Sequence, residues 1–367
     1  MHSDLLLVIV IAAAAAFDFT NGFHDTANVV ASSISTRALA PRTAIGLASV
    51  LNFIGAFISL KVAATVATGI IDAGQVTETI AFAGLIGAIA WNLITWAYGL
   101  PSSSSHALIG GVVGAMLAAV GGGGVKFGGL VTKVVVPALI SPVAAFVVAG
   151  LGIIFIYRLF GRRRPGAVTR GFRLGQIVSN SALAIAHGTN DAQKTMGVIT
   201  LALVAHGSLS AKHAAVPAWV VVLSATAISL GTYAGGWRII RTVGTRIIKM
   251  DSAQAFSAQT SGAIVILVSS HLGYPLSSTH VISGGVMGSG AAKRLSAVRW
   301  GVAGPIALAW VVTLPTAGLF GAGAYALATA FGNGVLGPLV ILLIGVGGPI
   351  SMALATRRRR LTEAASA

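Results

Sequence analysis

The chain has 367 residues, 55% of them hydrophobic and only 9% charged, with a net charge of +16 and a mean hydropathy of +0.89. A soluble domain carries roughly 25% charged residues, so a water-exposed globule of this size is excluded. The basic residues sit in short clusters between apolar runs, which is the signature of membrane insertion and not of a nucleic-acid-binding face. With no cysteine in the chain, disulfides and thiolate metal sites are excluded as well.

Apolar stretches of about 20 residues, the length of a membrane-crossing helix, recur from end to end. They do not alternate as barrel strands do, so the fold class predicted is an all-α polytopic membrane protein. Spans are predicted near 5–33, 43–61, 80–99, 101–122, 134–157, 174–205, 214–236, 256–273, 276–292, 300–330 and 334–356. The first run follows Met-His-Ser-Asp and lacks a basic leader, so it reads as a span and not a cleaved signal. Basic clusters follow at Arg37 and Arg42, Arg158–Arg173, Arg238–Lys249, Lys293–Arg299 and Arg357–Arg360. Eleven crossings place all of them on one side, with the N-terminus outside and the C-terminus in the cytoplasm. The glycine run Gly121–Gly124 reads as a flexible turn on the opposite side.

The first run leads into "NGFHDTAN" (Asn21–Asn28), which has a counterpart in "HGTNDAQK" (His187–Lys194) with glycine and aspartate in register. "PSSSSHALIGGVVG" (Pro101–Gly114) likewise matches "PLSSTHVISGGVMG" (Pro275–Gly288). The motifs come in the same order at nearly the same offset, and each pair falls on spans of opposite direction. That arrangement is an inverted-topology repeat, the plan of many secondary transporters. It divides the chain into a first repeat (1–157), a basic loop (158–173), a second repeat (174–330) and a last span with a basic tail (331–367).

Ionisable groups inside a membrane are costly and mark ion or substrate pathways. On a helix Asn21, Asp25 and Asn28 share one face, and a carboxylate with amide and freed backbone oxygens suits a hard cation or a proton. Asn190, Asp191 and Lys194 take that part in the second copy. The glycines and short polar residues predict a break in each helix at the motif. The serine and threonine motifs each begin with a proline at a predicted helix start, where missing N–H bonds are tolerated. Unpaired amides and the positive dipole end there favour a tetrahedral oxyanion. Gly110 with Gly114, and Gly284 with Gly288, offer small faces for close helix packing. His24 and His187 either relay protons or satisfy a buried carboxylate. His206, His213 and His271 lie near span ends and are weaker candidates. No spacing matches a hydrolytic metal site such as H-E-x-x-H. There is no P-loop and no nucleophile–base constellation, so neither an ATP-driven pump nor an enzyme is expected, and no cofactor or bound metal.

At these residues the sequence resembles the PiT family of inorganic phosphate transporters over nearly its whole length, and within it the bacterial low-affinity Pit transporters. The resemblance implies inverted repeats, a homodimer in the lipid bilayer, and phosphate held midway across the membrane between two broken or re-entrant hairpins. It places Ser103, Ser104 and Ser105 with Ser277, Ser278 and Thr279 on phosphate oxygens. Asn21, Asp25, Asn28, Asn190 and Asp191 would hold the coupling cation, and Gly22 and Gly188 would permit the chain breaks. Sodium-coupled members tend to keep asparagine where this chain has Lys194, so an ammonium there acts as a tethered cation. Asn52 and Ser224 stand where some eukaryotic members carry a glutamate. Both departures favour a coupling proton, or uptake of a neutral divalent metal–phosphate complex, over sodium. The rival readings are a sulfate transporter of the same fold and an anion channel.

Overall fold

The computed structural model describes residues 2–210, 215–330 and 337–341, and thirteen α-helices follow one another between His2 and Ala330. The helices are α1 (His2–Ser35), α2 (Pro41–Gly55), α3 (Lys61–Thr68), α4 (Glu78–Tyr98), α5 (Ser104–Val120), α6 (Phe127–Leu130) and α7 (Val136–Phe160). They continue as α8 (Pro165–Ala205), α9 (Ala218–Ala234), α10 (Trp237–Arg241), α11 (Ser252–His271), α12 (Ser278–Ala291) and α13 (Trp300–Ala330). His213, most of the last predicted span and Arg357–Arg360 lie outside the described residues.

Five helices among the described residues are long and apolar enough to cross a membrane, and α9 with Trp237–Arg246 forms a sixth candidate, bent by 59°. With these helices the chain is a multi-pass membrane protein. Other elements depart from the predicted spans. The stretch predicted at 43–61 is α2 followed by a break and then α3. The predicted basic loop is largely helical, because α8 begins at Pro165, a residue pre-set for a first helical turn. At 41 residues α8 is about 60 Å long, twice the hydrocarbon thickness, so its basic first turns extend beyond the membrane core.

The predicted helix breaks at the two duplicated motifs are not found: α1 and α8 run unbroken through Asn21–Asn28 and His187–Lys194. Their glycines serve close packing instead. A methyl group on Gly22 would lie 2.3 Å from Ile228 O, and one on Gly188 would lie 2.1 Å from Asn52 O. The breaks fall in the partner helices, between α2 and α3 and at Gly235–Gly236 after α9. Here a polar motif did not signal a break because its groups bond to side chains of neighbouring helices, leaving the ladder intact.

α1 and α8 cross antiparallel. Thr195 donates to Asp18, Ser33 to Asn180 at 3.0 Å and Thr36 to Gln176 at 2.8 Å. α4 runs alongside α1, with Glu78 near Asp4 through His206 and Thr95 near His24. α11 runs alongside α8, with Gln176 at Ser252 O and Asn190 at Ser270. α4–α5 and α11–α12 are therefore two hairpins that approach from opposite ends and meet at their tips. Gly110 and Gly114 pack against α13, and Gly284 and Gly288 against α7, as the small-residue faces predict.

The tips are built alike. Gly99 and Gly273 end α4 and α11 at φ of +67° and +79°, a conformation glycine adopts without strain. The following amides close back, Leu100 N onto Thr95 O and Tyr274 N onto Ser269 O, each at 2.9 Å. Pro101 and Pro275, expected at the helix starts, do not start the next helices; each lies two residues ahead of the N-cap, inside a tight turn closed by Ser102 N to Leu100 O and Leu276 N to Tyr274 O. Ser103 and Ser277 are the N-caps, accepting from His106 N at 3.1 Å and His280 N at 3.3 Å. Serine is a strong cap because its hydroxyl fills one of the orphan amides of the first turn.

Candidate functional site

Where the hairpin tips meet, α1 and α8 supply the charged groups. Asp25, Asp191 and Lys194 are each at most 1% exposed. Asp191 Oδ1 accepts from Lys194 Nζ, and the same ammonium donates to Ser105 Oγ and to Leu276 O at 2.7 Å. Lys194 thus joins α8 to both hairpin tips. Ser278 Oγ lies between the carboxylates, donating to Asp191 Oδ2 at 3.0 Å and reaching Asp25 Oδ2 at 3.4 Å. Thr279 Oγ1 reaches Asp25 Oδ1 at 3.4 Å and accepts from Asn28 Nδ2 at 2.9 Å.

The histidines complete this shell. His24 Nδ1 pairs with Asp25 Oδ1 at 2.8 Å, and its Nε2 faces Thr95 Oγ1 at 3.2 Å. His187 Nδ1 lies 3.2 Å from Asn52 Oδ1, while its Nε2 sits 2.8 Å from Asp191 Oδ2 without the alignment of a hydrogen bond. His106 and His280 touch edge to face at 4.7 Å behind the tips. Asp25, His187 and Asp191 each present a ligand atom within 4.8 Å of the others, a set able to hold a metal ion. Helix spacing could not reveal that set, because its members come from two antiparallel helices.

Ser104, Ser105, Ser278 and Thr279 open α5 and α12, and their first-turn amides lie outside the helical ladder. Two positive helix ends therefore converge on one buried polar cluster. Ser103 and Ser277 stand one residue back as caps. Asn28 is in the cluster; Asn21 is buried a turn away with Oδ1 unpartnered. Asn190 braces the second hairpin through Ser270 at 2.8 Å and Tyr274 O at 3.3 Å, leaving its Oδ1 unpartnered. Chemically, two carboxylates this close repel unless a cation or proton stands between them, while the converging amides and Lys194 attract an anion. The site suits a cation and an oxyanion together.

Sequence reasoning passed over Asp18, which is fully buried on α1 with only Oδ1 hydrogen-bonded, by Thr195. The signal was present, since Asp18 precedes Asp25 by seven positions and so shares its helical face.

Buried charged groups gathered between paired helical hairpins fit a transport protein, and the proteins this chain resembles are transporters, not enzymes. The sequence profile of the phosphate transporter family matches residues 21–168 and 162–321, and the chain belongs to that family. It is 54% identical over 328 residues to a probable low-affinity inorganic phosphate transporter of Mycobacterium tuberculosis, covering 89% of this chain and 79% of that one. A protein of the same description from Rhizobium meliloti is 50% identical over 321 residues, covering 87% of this chain and 96% of the relative. The fold matches a solved structure described as the sodium-dependent phosphate transporter, with a TM-score of 0.80 and 25% identity over 88% of this chain and 98% of that one.

Proposed function

We propose that this protein takes up inorganic phosphate across the cell membrane by proton-coupled symport with alternating access. The observation that carries the reading is the buried meeting of two carboxylates, one lysine and two helix N-termini at a single point. Phosphate sits on the amides and hydroxyls of Ser103–Ser105 and Ser277–Thr279. Asp25 and Asp191, with Asn21, Asn28 and Asn190, take the coupling cation. Burying the phosphate charge is costly unless it is compensated, so each ligand raises the affinity for the other.

Protonated phosphate can donate a hydrogen bond to Asp25 or Asp191. Sulfate at neutral pH cannot, and would face two bare carboxylates. Lys194 supports coupling by protons over sodium, because its ammonium already occupies oxygens that a sodium ion would otherwise take. The antiparallel crossing of α1 and α8, and the tip-to-tip hairpins, support inverted repeats that rock about the site, with re-entrant hairpins entering from opposite faces. The N-terminus lies outside, the C-terminus in the cytoplasm, and the protein assembles as a homodimer.

A second reading, uptake of a neutral divalent metal–phosphate complex, is favoured by the ligand set of Asp25, His187 and Asp191. Radiolabelled phosphate uptake into proteoliposomes tests both, with excess unlabelled sulfate in one arm and a divalent-metal chelator in another. Uptake that ignores sulfate and the chelator supports phosphate symport. Loss with the chelator favours the metal complex, and loss with sulfate contradicts the assigned substrate.

A further inference from the structure

We propose that Asp18 is a separate proton-binding position of this transporter, loaded and unloaded in each cycle and distinct from the phosphate site. The inference rests on the proton-coupled reading above and names the group that carries the proton.

Asp18 is fully buried in the apolar part of α1, about 10 Å along the helix from Asp25 at 1.5 Å per residue. Its Oδ1 accepts from Thr195 Oγ1 of α8. Its Oδ2 has no hydrogen-bond partner. Among the described residues no cation pairs with it, because Lys194 is engaged by Asp191, Ser105 and Leu276 O. Ser224 of α9 borders the same carboxylate, and its hydroxyl is buried and also unpartnered. A buried carboxylate in hydrocarbon must bind something or neutralise. A proton on Oδ2 neutralises the buried carboxylate, and the resulting O–H can donate to Ser224 Oγ.

The surroundings also give the proton an effect on phosphate. The charged groups facing Asp18 are Asp191 and Lys194 of α8. His24 and Asp25 lie on its own helix, α9 contributes no charged side chain, and the one acidic group of α4, Glu78, stands at that helix's far end beside His206. Ionised Asp18 draws on the Lys194 ammonium and adds negative charge near the anion site. Once protonated, it leaves Lys194 to the hairpin tips and to phosphate. Proton binding thus raises phosphate affinity, and departure of phosphate favours release of the proton, as linkage requires.

The test uses the full chain in proteoliposomes in two modes, phosphate–phosphate exchange at equal pH and net accumulation driven by an inward proton gradient. Asp18→Asn keeps the carboxyl shape without a titrating proton. It should retain exchange and lose gradient-driven accumulation by about tenfold or more, the scale of an ordinary coupling energy. Thr195→Val removes the hydrogen bond to the ionised form and should move the pH midpoint of gradient-driven uptake upward by about one unit. If wild type responds to the proton gradient and Asp18→Asn responds equally, this inference fails while the proton-coupled function stands. If Asp18→Asn is inactive in both modes, Thr195→Val decides, and an unmoved pH midpoint overturns the inference. Wild type indifferent to the proton gradient, or driven by sodium, overturns the coupling reading itself.

Discussion

Lys194 places an ammonium among Asp191, Ser105 Oγ and Leu276 O, and its neighbours set the strongest residue-scale expectations. Among the described residues Ser278 is the one hydroxyl that reaches both carboxylates. A hydrogen bond to a charged group contributes about 1.5–3 kcal/mol, so Ser278→Ala should lower phosphate uptake at limiting substrate by roughly ten- to a hundredfold. Initial-rate uptake at several phosphate concentrations checks this, and an unchanged rate would remove Ser278 from the site. Asn190 differs in kind. It holds Ser270 and Tyr274 O at the base of the second hairpin tip, so Asn190→Ala should reduce thermal stability along with uptake. Thermal unfolding of the detergent-solubilised protein measures the first effect.

At the scale of elements, glycine marks contact and the breaks fall elsewhere. Gly22 and Gly188 let α1 and α8 touch the backbones of α9 and α2. Gly188→Ala should therefore destabilise the fold by about 1–3 kcal/mol, the usual cost of overpacking, seen as a lower unfolding midpoint. A hinge glycine would instead leave the midpoint in place and slow transport. The duplicated motifs were legible in the sequence because membrane burial makes polar residues rare and therefore conspicuous. From them the gathering of Asp25, Asp191 and Lys194 with the two serine-rich hairpin tips could be anticipated, while the all-helical class followed from the apolar runs. The continuity of α1 and α8 could not, since the motif groups bond to partners distant in sequence such as Thr95, Thr279, Ser270 and Ser278. Nor could the metal-capable set of Asp25, His187 and Asp191, which only the antiparallel crossing assembles. Asp18 was missed because a single carboxylate within an alanine-rich run has no motif around it. Its position on the face of Asp25 was the available clue.

Across the whole molecule, α5 packs on α13 and α12 on α7, so each half of the chain closes on the hairpin of the other. If the halves are inverted repeats, equivalent loops open to opposite sides of the membrane. The absence of native cysteine makes this directly measurable. Single cysteines at Gly122 and Ser296, in the loops that follow α5 and α12, should label with impermeant maleimide from outside and from the cytoplasm respectively. Labelling of both from one side would contradict the inverted-repeat topology.

The central claim is that phosphate moves with protons because Lys194 stands in for a sodium ion. It is tested most directly by radiolabelled phosphate uptake into proteoliposomes under imposed proton or sodium gradients, for wild type and Lys194→Asn. Proton-driven uptake in wild type, with sodium dependence appearing in Lys194→Asn, is the predicted result. Sodium-driven uptake already present in wild type at constant pH would contradict it.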